Sequence, residues 1–254
     1  MAPQSLQGKT ALVTGAAKRI GLAIALALAE EGMNIVIHYH RSATEAQSLV
    51  AKLRERGVQA WLLQADFRDP AQSETVIERA LELAGSLDLL VNSASDFGSE
   101  SVPDLTFETL TESLAVNAWA PFALARDFCE KAGHGQVINL IDAGVDGYYF
   151  HHVAYTLAKT SLHKLTEMLA LQYAPQVAVN AIMPGLILPP PGEAETFLDA
   201  LSHTVPMGRH GDPDDIAAAA VFLAKSTFLT GSMLYVDGGG HLGGRRPGSS
   251  VPPR

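Results

Sequence analysis

The chain has 254 residues, 47% of them hydrophobic, and a formal charge of −9 at pH 7, which suits one large α/β domain around a buried sheet. That acidic balance argues against nucleic-acid partners, and the single cysteine, Cys129, excludes an intramolecular disulfide and gives no thiolate metal site. No run reaches membrane-spanning length and residues 1–7 lack the apolar centre of a signal peptide, so a cytoplasmic protein without a membrane partner is expected.

In chain order, residues 11–13 form a short apolar strand that enters a glycine turn, Thr14-Gly15-Ala16-Ala17-Lys18-Arg19-Ile20-Gly21, followed by an Ala/Leu-rich helix over 20–31. Gly15 permits the tight turn and Gly21 lets the helix pack closely on the strand. Backbone N–H groups at the helix start then face a pyrophosphate. The second strand, 35–39, runs into His40-Arg41-Ser42 with no Asp or Glu at its end. A carboxylate there bonds the ribose hydroxyls of NAD. A guanidinium, an imidazole and a hydroxyl suit a 2′-phosphate instead, so NADPH is the expected cofactor, with Arg19 as a second cationic group. His38 points opposite to Tyr39 and reads as packed or phosphate-adjacent.

A helix over 44–56, a strand over 60–64 ending near Asp66 and Phe67, and a helix over 71–84 follow. The fourth strand, 87–91, leads to Asn92-Ser93-Ala94-Ser95-Asp96-Phe97. A long helix over 105–131 carries Asn117, an amide in an apolar stretch that needs a satisfied partner. The strand over 136–141 ends at Asp142, and the helix over 153–173 presents Tyr155 and Lys159 one turn apart on the same face. A phenol titrates at about pH 10, and a neighbouring ammonium favours its phenolate, which brings the pair toward useful acid–base work. Asp142 only accepts hydrogen bonds when ionised and can donate to a ring nitrogen when protonated. Beyond the strand over 177–182 come Pro184, Gly185, Leu186 and Ile187, a proline-rich loop over 186–195, a lid helix over 196–203, a helix over 212–225 and a strand over 234–236. Residues 243–254 read as a flexible Gly/Pro/Ser/Arg-rich tail to a single domain spanning 1–242.

Seven apolar strands alternating with helices call for a Rossmann-type, doubly wound, parallel seven-stranded sheet with helices on both faces. Ligands of such sheets sit at the carboxyl ends of the strands, where Thr14, His40, Asp66, Asn92, Asp142 and Pro184 all fall. The nine histidines, including the His38/His40 and His151-His152 pairs, form no coherent ligand set, and no metal is expected.

Thr14-Gly15…Gly21, the segment Asn92 to Ser95, Asn117, Tyr155 with Lys159, Pro184-Gly185 and Asp237-Gly238-Gly239 together resemble the short-chain dehydrogenase/reductase family. Arg19 replaces that family's middle glycine and Asp142 its usual serine. Both departures, with the H-Y-H-R-S run at 38–42 and N-A-S-x-F-like run at 92–97, resemble the pteridine reductase and dihydromonapterin/dihydrofolate reductase branch. The resemblance implies a cofactor shell of Gly15, Arg19, Ile20, Gly21, His40, Arg41, Ser42, Asp66, Phe67, Asn92, Ala94, Ser95, Tyr155, Lys159, Pro184, Gly185 and Ile187. It implies substrate contacts from Arg19, Ser95, Phe97, Asp142, Tyr155 and Leu186. Catalysis would rest on Asp142, Tyr155, Lys159 and Asn117. In that scheme Tyr155 delivers the proton and Lys159 lowers its pKa. Asn117 kinks its helix and holds a water leading to Lys159. The implied activity is NADPH-dependent reduction of a dihydropterin or dihydrofolate C=N bond, in a homotetramer. A 3-oxoacyl or other ketone reductase is the alternative, and a non-catalytic NADP-binding protein is a third. His241 and Arg245 are expected to reach a neighbouring subunit.

Overall fold

Seven parallel strands form one sheet in the order β3-β2-β1-β4-β5-β6-β7. The structure, a computed structural model, describes residues 3–145, 147, 149–190, 192–194 and 196–243. The expected tail beyond residue 243 and Arg245 therefore lie outside the described residues, as do positions 191 and 195 of the proline-rich loop. The strands are β1 (Thr10–Val13), β2 (Asn34–Tyr39), β3 (Ala60–Gln64), β4 (Leu89–Asn92), β5 (Gly135–Leu140), β6 (Val177–Pro184) and β7 (Met233–Val236). Their continuous apolar runs follow from burial on both faces. Ala11 and Val13 of β1 enter one core with Ile35 and Ile37 of β2, while Leu12 and Val36 enter the core on the opposite face. The first core is covered by α1 (Arg19–Glu30), α2 (Ala43–Glu55) and α9 (Pro213–Lys225), through residues such as Ile24, Leu49 and Ile216. On the second face lie α4 (Val76–Ala84), α6 (Ala120–Lys131) and α7 (Val153–Tyr173), through Ile77, Phe128 and Leu169. Cys129 is buried on α6, and burial pushes its thiol up to about 12, which disfavours the reactive thiolate.

Two expected helices are broken. The stretch 71–84 divides into α3 (Pro70–Ser73) and α4 because Ser73 and Thr75 donate their hydroxyls to the carbonyls of Pro70 and Gln72, competing with the helical ladder. The stretch 105–131 divides into α5 (Phe107–Leu114), a π turn (Ala115–Trp119) and α6. Pro121 has no N–H for the carbonyl of Asn117, and the Ala120 N–H bonds instead to the Ala115 carbonyl, five residues back. The lid segment forms α8 (Thr196–Leu201) and a 3₁₀ turn (Ser202–Thr204). Among the described residues no helix is long and apolar enough to cross a membrane.

Chain order reverses between β1 and β4, and this reversal opens a crevice at their carboxyl ends. The loops after β1, β2, β4, β5 and β6 converge there.

Candidate active site at the switch point

The glycine loop after β1 is pinned on both sides. Thr14 Oγ1 accepts from the Ser93 and Ala94 N–H groups, both at 2.9 Å, which ties β1 to the loop after β4. Gly15 takes φ +64° there, and an added Cβ would lie 3.0 Å from Ala94 Cα. At Gly21 a Cβ would sit 2.5 Å from the Gly15 carbonyl oxygen, so only glycine allows α1 to start against the loop. No side chain caps α1 and its first turn holds no acidic residue, leaving backbone donors and the positive end of the helix dipole for an anion. Arg19 keeps φ +57°, the left-handed conformation that a glycine adopts freely. Its guanidinium donates to the Pro189 carbonyl at 2.8 Å, joining the glycine loop to the proline-rich loop after β6.

At the end of β2, His40 and Ser42 are half-buried and Arg41 is exposed. His40 Nε2 lies 3.2 Å from Asp66 Oδ2, so the two expected cofactor contacts form one pair across the ends of β2 and β3. Phe67 is buried and stacks on His38, with centroids 4.2 Å apart and planes 4° from parallel.

On the opposite side of the crevice, the Tyr155 hydroxyl donates to Asp142 Oδ2 at 3.0 Å, while Asp142 Oδ1 accepts from the Gly144 N–H at 2.7 Å. Lys159 is 2% exposed and donates from Nζ to the Leu140 carbonyl at 2.8 Å, 5.7 Å from the centre of the Tyr155 ring. Burial lowers the Lys159 ammonium to about 8, opposed by Asp142. Burial raises the Asp142 carboxyl, against the Gly144 and Tyr155 hydrogen bonds. Tyr155 is held well above its ordinary value, first by burial and then by the Asp142 charge. In this arrangement burial and the Asp142 charge outweigh the expected lowering of Tyr155 by Lys159, one of whose three N–H donors is taken by the Leu140 carbonyl. Tyr155 is kept as a proton donor.

Asn117 is fully buried in the π turn, where the helix breaks, and its amide has the partners that an apolar stretch demands. Its Oδ1 accepts from Ser95 Oγ at 2.8 Å and the Asp96 N–H at 3.1 Å, and its Nδ2 donates to the Asp96 carbonyl and Ser113 Oγ at 2.9 and 3.1 Å. Its amide shapes the 95–96 loop. The Asn92 amide likewise turns inward, its Nδ2 donating to the Pro121 carbonyl and Asn139 Oδ1. Ile187 is 4% exposed and packs in the core beneath α1 and α9. Ile20 packs at the margin of that core. Leu186 is half-buried, its carbonyl accepting from the Gly211 N–H. The Pro184 carbonyl accepts from the Ala143 N–H, which sets the loop carrying Asp142 beside β6. Gly185 lies where a Cβ would meet Asp237 Cβ at 2.5 Å. His241 Nδ1 lies 2.8 Å from Asp237 Oδ2 and its ring stacks on Tyr235.

Phe97 is 41% exposed and meets the Tyr155 ring edge-on at 4.7 Å. One side of it is stacked on His152, centroids 4.0 Å apart. His152 adopts φ +66° at the start of α7, and its Nδ1 bonds the Gly98 carbonyl at 2.6 Å. The sequence reads His152 only as half of a rejected metal pair, and His38 as packed or phosphate-adjacent. A positive φ leaves no signature in an His-His dipeptide, but a histidine inside an apolar strand was a readable signal of a buried polar contact. Among the described residues no group of His, Cys, Asp or Glu could hold a metal ion.

A switch-point crevice with an uncapped helix on one side and a buried acid–phenol–amine cluster on the other defines a nucleotide-dependent oxidoreductase fold. Residues 15–241 match the family model described as enoyl-(acyl carrier protein) reductase, and the chain belongs to the short-chain dehydrogenase/reductase family. It is 32% identical to glucose 1-dehydrogenase 2 of Bacillus subtilis, over 93% of this chain and 96% of that protein. It is 34% identical to 3beta-hydroxysteroid dehydrogenase 1 of Eggerthella lenta, over 92% and 94%. Among solved structures, FolM alternative dihydrofolate reductase 1 from Brucella canis, complexed with NADP, superposes with a TM-score of 0.88 at 31% identity, covering 98% of this chain and all of that one.

Proposed function

We propose that this oxidoreductase is an NADPH-dependent reductase of a dihydropterin or dihydrofolate C=N bond. The observation that carries the reading is the 3.0 Å hydrogen bond between Tyr155 and Asp142, a carboxyl where a serine would serve simple ketone reduction. The likeness to the FolM structure supports it.

The residues present fit a bound NADPH. The cradle formed by Gly15 and Gly21 has no room for a Cβ, and the amides at the start of α1 have no competing side-chain cap. Arg41 is exposed with no acidic residue in the His40-Arg41-Ser42 turn, which suits a 2′-phosphate. When bound, the cofactor supplies a hydride. The chain's own groups hold and move the proton. Tyr155, kept protonated by burial and by Asp142, donates it; Asp142 hydrogen-bonds the heterocycle, takes up a proton from solvent, which its burial favours, and passes it to the phenolate. Lys159 supplies positive charge beneath the phenol and a donor for a ribose hydroxyl. Asn117 acts by shaping the Ser95–Asp96 turn, and the outer face of Phe97 offers a surface for a flat ring.

The sequence relatives favour a second reading, reduction of a ketone. One of them, 31% identical over 95% of this chain, is the granaticin polyketide synthase putative ketoacyl reductase 2 of Streptomyces violaceoruber. NADPH oxidation with dihydrobiopterin, dihydrofolate and an acetoacetyl thioester side by side separates the two. Turnover confined to the thioester would overturn the pterin assignment. A cytoplasmic homotetramer completes the proposal: Leu157, Met168 and Leu171 of α7 and Phe107 and Trp119 near α5 are exposed apolar residues suited to subunit contacts, to be checked by light scattering.

A further inference from the structure

We infer that His38 is a positioning residue for the dinucleotide, acting by holding the glycine loop in its binding shape. The inference rests on the reading that a nicotinamide dinucleotide occupies that loop. His38 lies on β2, 2% exposed, on the same side of the strand as Val36. It serves two successive amides of the loop: the Gly15 N–H donates to its Nδ1 at 3.2 Å, and the Ala16 N–H donates to its carbonyl at 3.1 Å. The other ring nitrogen, Nε2, lies 3.2 Å from the Ala65 carbonyl.

These partners leave one protonation pattern. An N–H can be accepted only by a bare ring nitrogen and a carbonyl can only accept, so Nδ1 is unprotonated and Nε2 carries the hydrogen. The ring is thus a strut between the phosphate-side loop after β1 and the Ala65–Phe67 segment after β3, and stacking on Phe67 keeps it from turning. Adding a proton would set an N–H against the Gly15 N–H. The surroundings oppose that proton: burial comes first and outweighs the Ala65 hydrogen bond that favours it, and His40 just past the end of β2 and Arg79 from α4 add repulsion, while Asp66 faces His40. A core histidine kept only for packing would need no bare Nδ1 pointing at this amide.

Two near-isosteric substitutions separate the roles. In His38→Asn the side-chain oxygen takes the place of Nδ1 and can still accept from Gly15, while in His38→Gln the amide nitrogen takes the place of Nε2 and keeps only the Ala65 contact. NADP⁺ binding measured by calorimetry is expected to stay within about threefold of the parent in His38→Asn and to weaken about tenfold in His38→Gln, the equivalent of one neutral hydrogen bond. Both variants should lose similar thermal stability, and in His38→Gln the KM for NADPH should rise with little change in kcat. Equal affinity in the two variants would overturn the inference. Should both variants fail to fold, long-range ¹H–¹⁵N spectra of the unmodified protein decide: hydrogen on Nε2 alone is expected, and hydrogen on Nδ1 at neutral pH overturns the inference. Failure of the parent protein to bind NADP⁺ would remove the cofactor reading itself, a separate outcome.

Discussion

Replacing Asp142 by Asn tests the proposed chemistry with little change of shape. The Asn oxygen can still accept from the Gly144 N–H, now 2.7 Å from Asp142 Oδ1, so the loop after β5 should hold. What is lost is the group that exchanges a proton with Tyr155 across 3.0 Å. A positioned acid–base group contributes roughly 10²–10⁴-fold in rate, and a hydrogen bond to a charged partner about 1.5–3 kcal/mol. The kcat for dihydropterin reduction should therefore fall at least about a hundredfold, or about 2.7 kcal/mol of activation free energy. NADP⁺ affinity should be nearly unchanged because Asp142 is on the far side of the crevice from the glycine loop. Asp142→Ala should lose the same activity and also cost roughly 1–3 kcal/mol of stability, since the 7% exposed Tyr155 would keep a buried hydroxyl without its partner. The assay is NADPH consumption under single-turnover and steady-state conditions, beside thermal melts. Full activity of Asp142→Asn on the dihydropterin would refute the reasoning, whatever the melts show.

Arg41→Asp should reverse cofactor preference, weakening NADP⁺ roughly a hundredfold while improving NAD⁺, as read by the ratio of the two dissociation constants. Gly21→Ala would place a Cβ 2.5 Å from the Gly15 oxygen, an atom of the backbone that cannot swing aside. A loss of about 1–3 kcal/mol in urea unfolding and of NADP⁺ binding is expected, and wild-type binding would contradict the close-packed loop. Acid should destabilise the fold through His38, whose imidazole is lowered from 6.5 to about 4 by burial. Between those two values the unfolded chain binds a proton that the native state refuses, so stability falls as pH drops from about 6.5 toward 4, by about 3 kcal/mol in all, and is level from this source above 6.5. Urea titrations across that range, compared with His38→Asn, measure the contribution.

The strands and the glycine turn were legible because a parallel strand buried on both faces needs apolar residues at every position, and Ala11 to Val13 or Ile35 to Ile37 supply them. Tyr155 and Lys159 were legible together because one helical turn joins them, and the loop just past the end of β5 brings in Asp142 as the third group. Local rules failed where a side chain chose a distant partner. Asn117 bonds to residues 95 and 96, and Lys159 to a carbonyl nineteen positions back, and no periodicity in the chain announces either choice.

By itself, the order of residues determined the alternation of strands and helices, the place where the chain must turn on glycine, and the absence of a carboxylate at the end of β2, since each depends on neighbours along the chain. Only the tertiary structure decided which direction the buried polar groups face. Burial removes water as an alternative partner, so each such group takes whichever donor or acceptor the packing brings within reach. That is how Tyr155 came to be paired with a carboxylate and held as an acid, and how an inconspicuous histidine on β2 came to accept the first amide of the glycine loop.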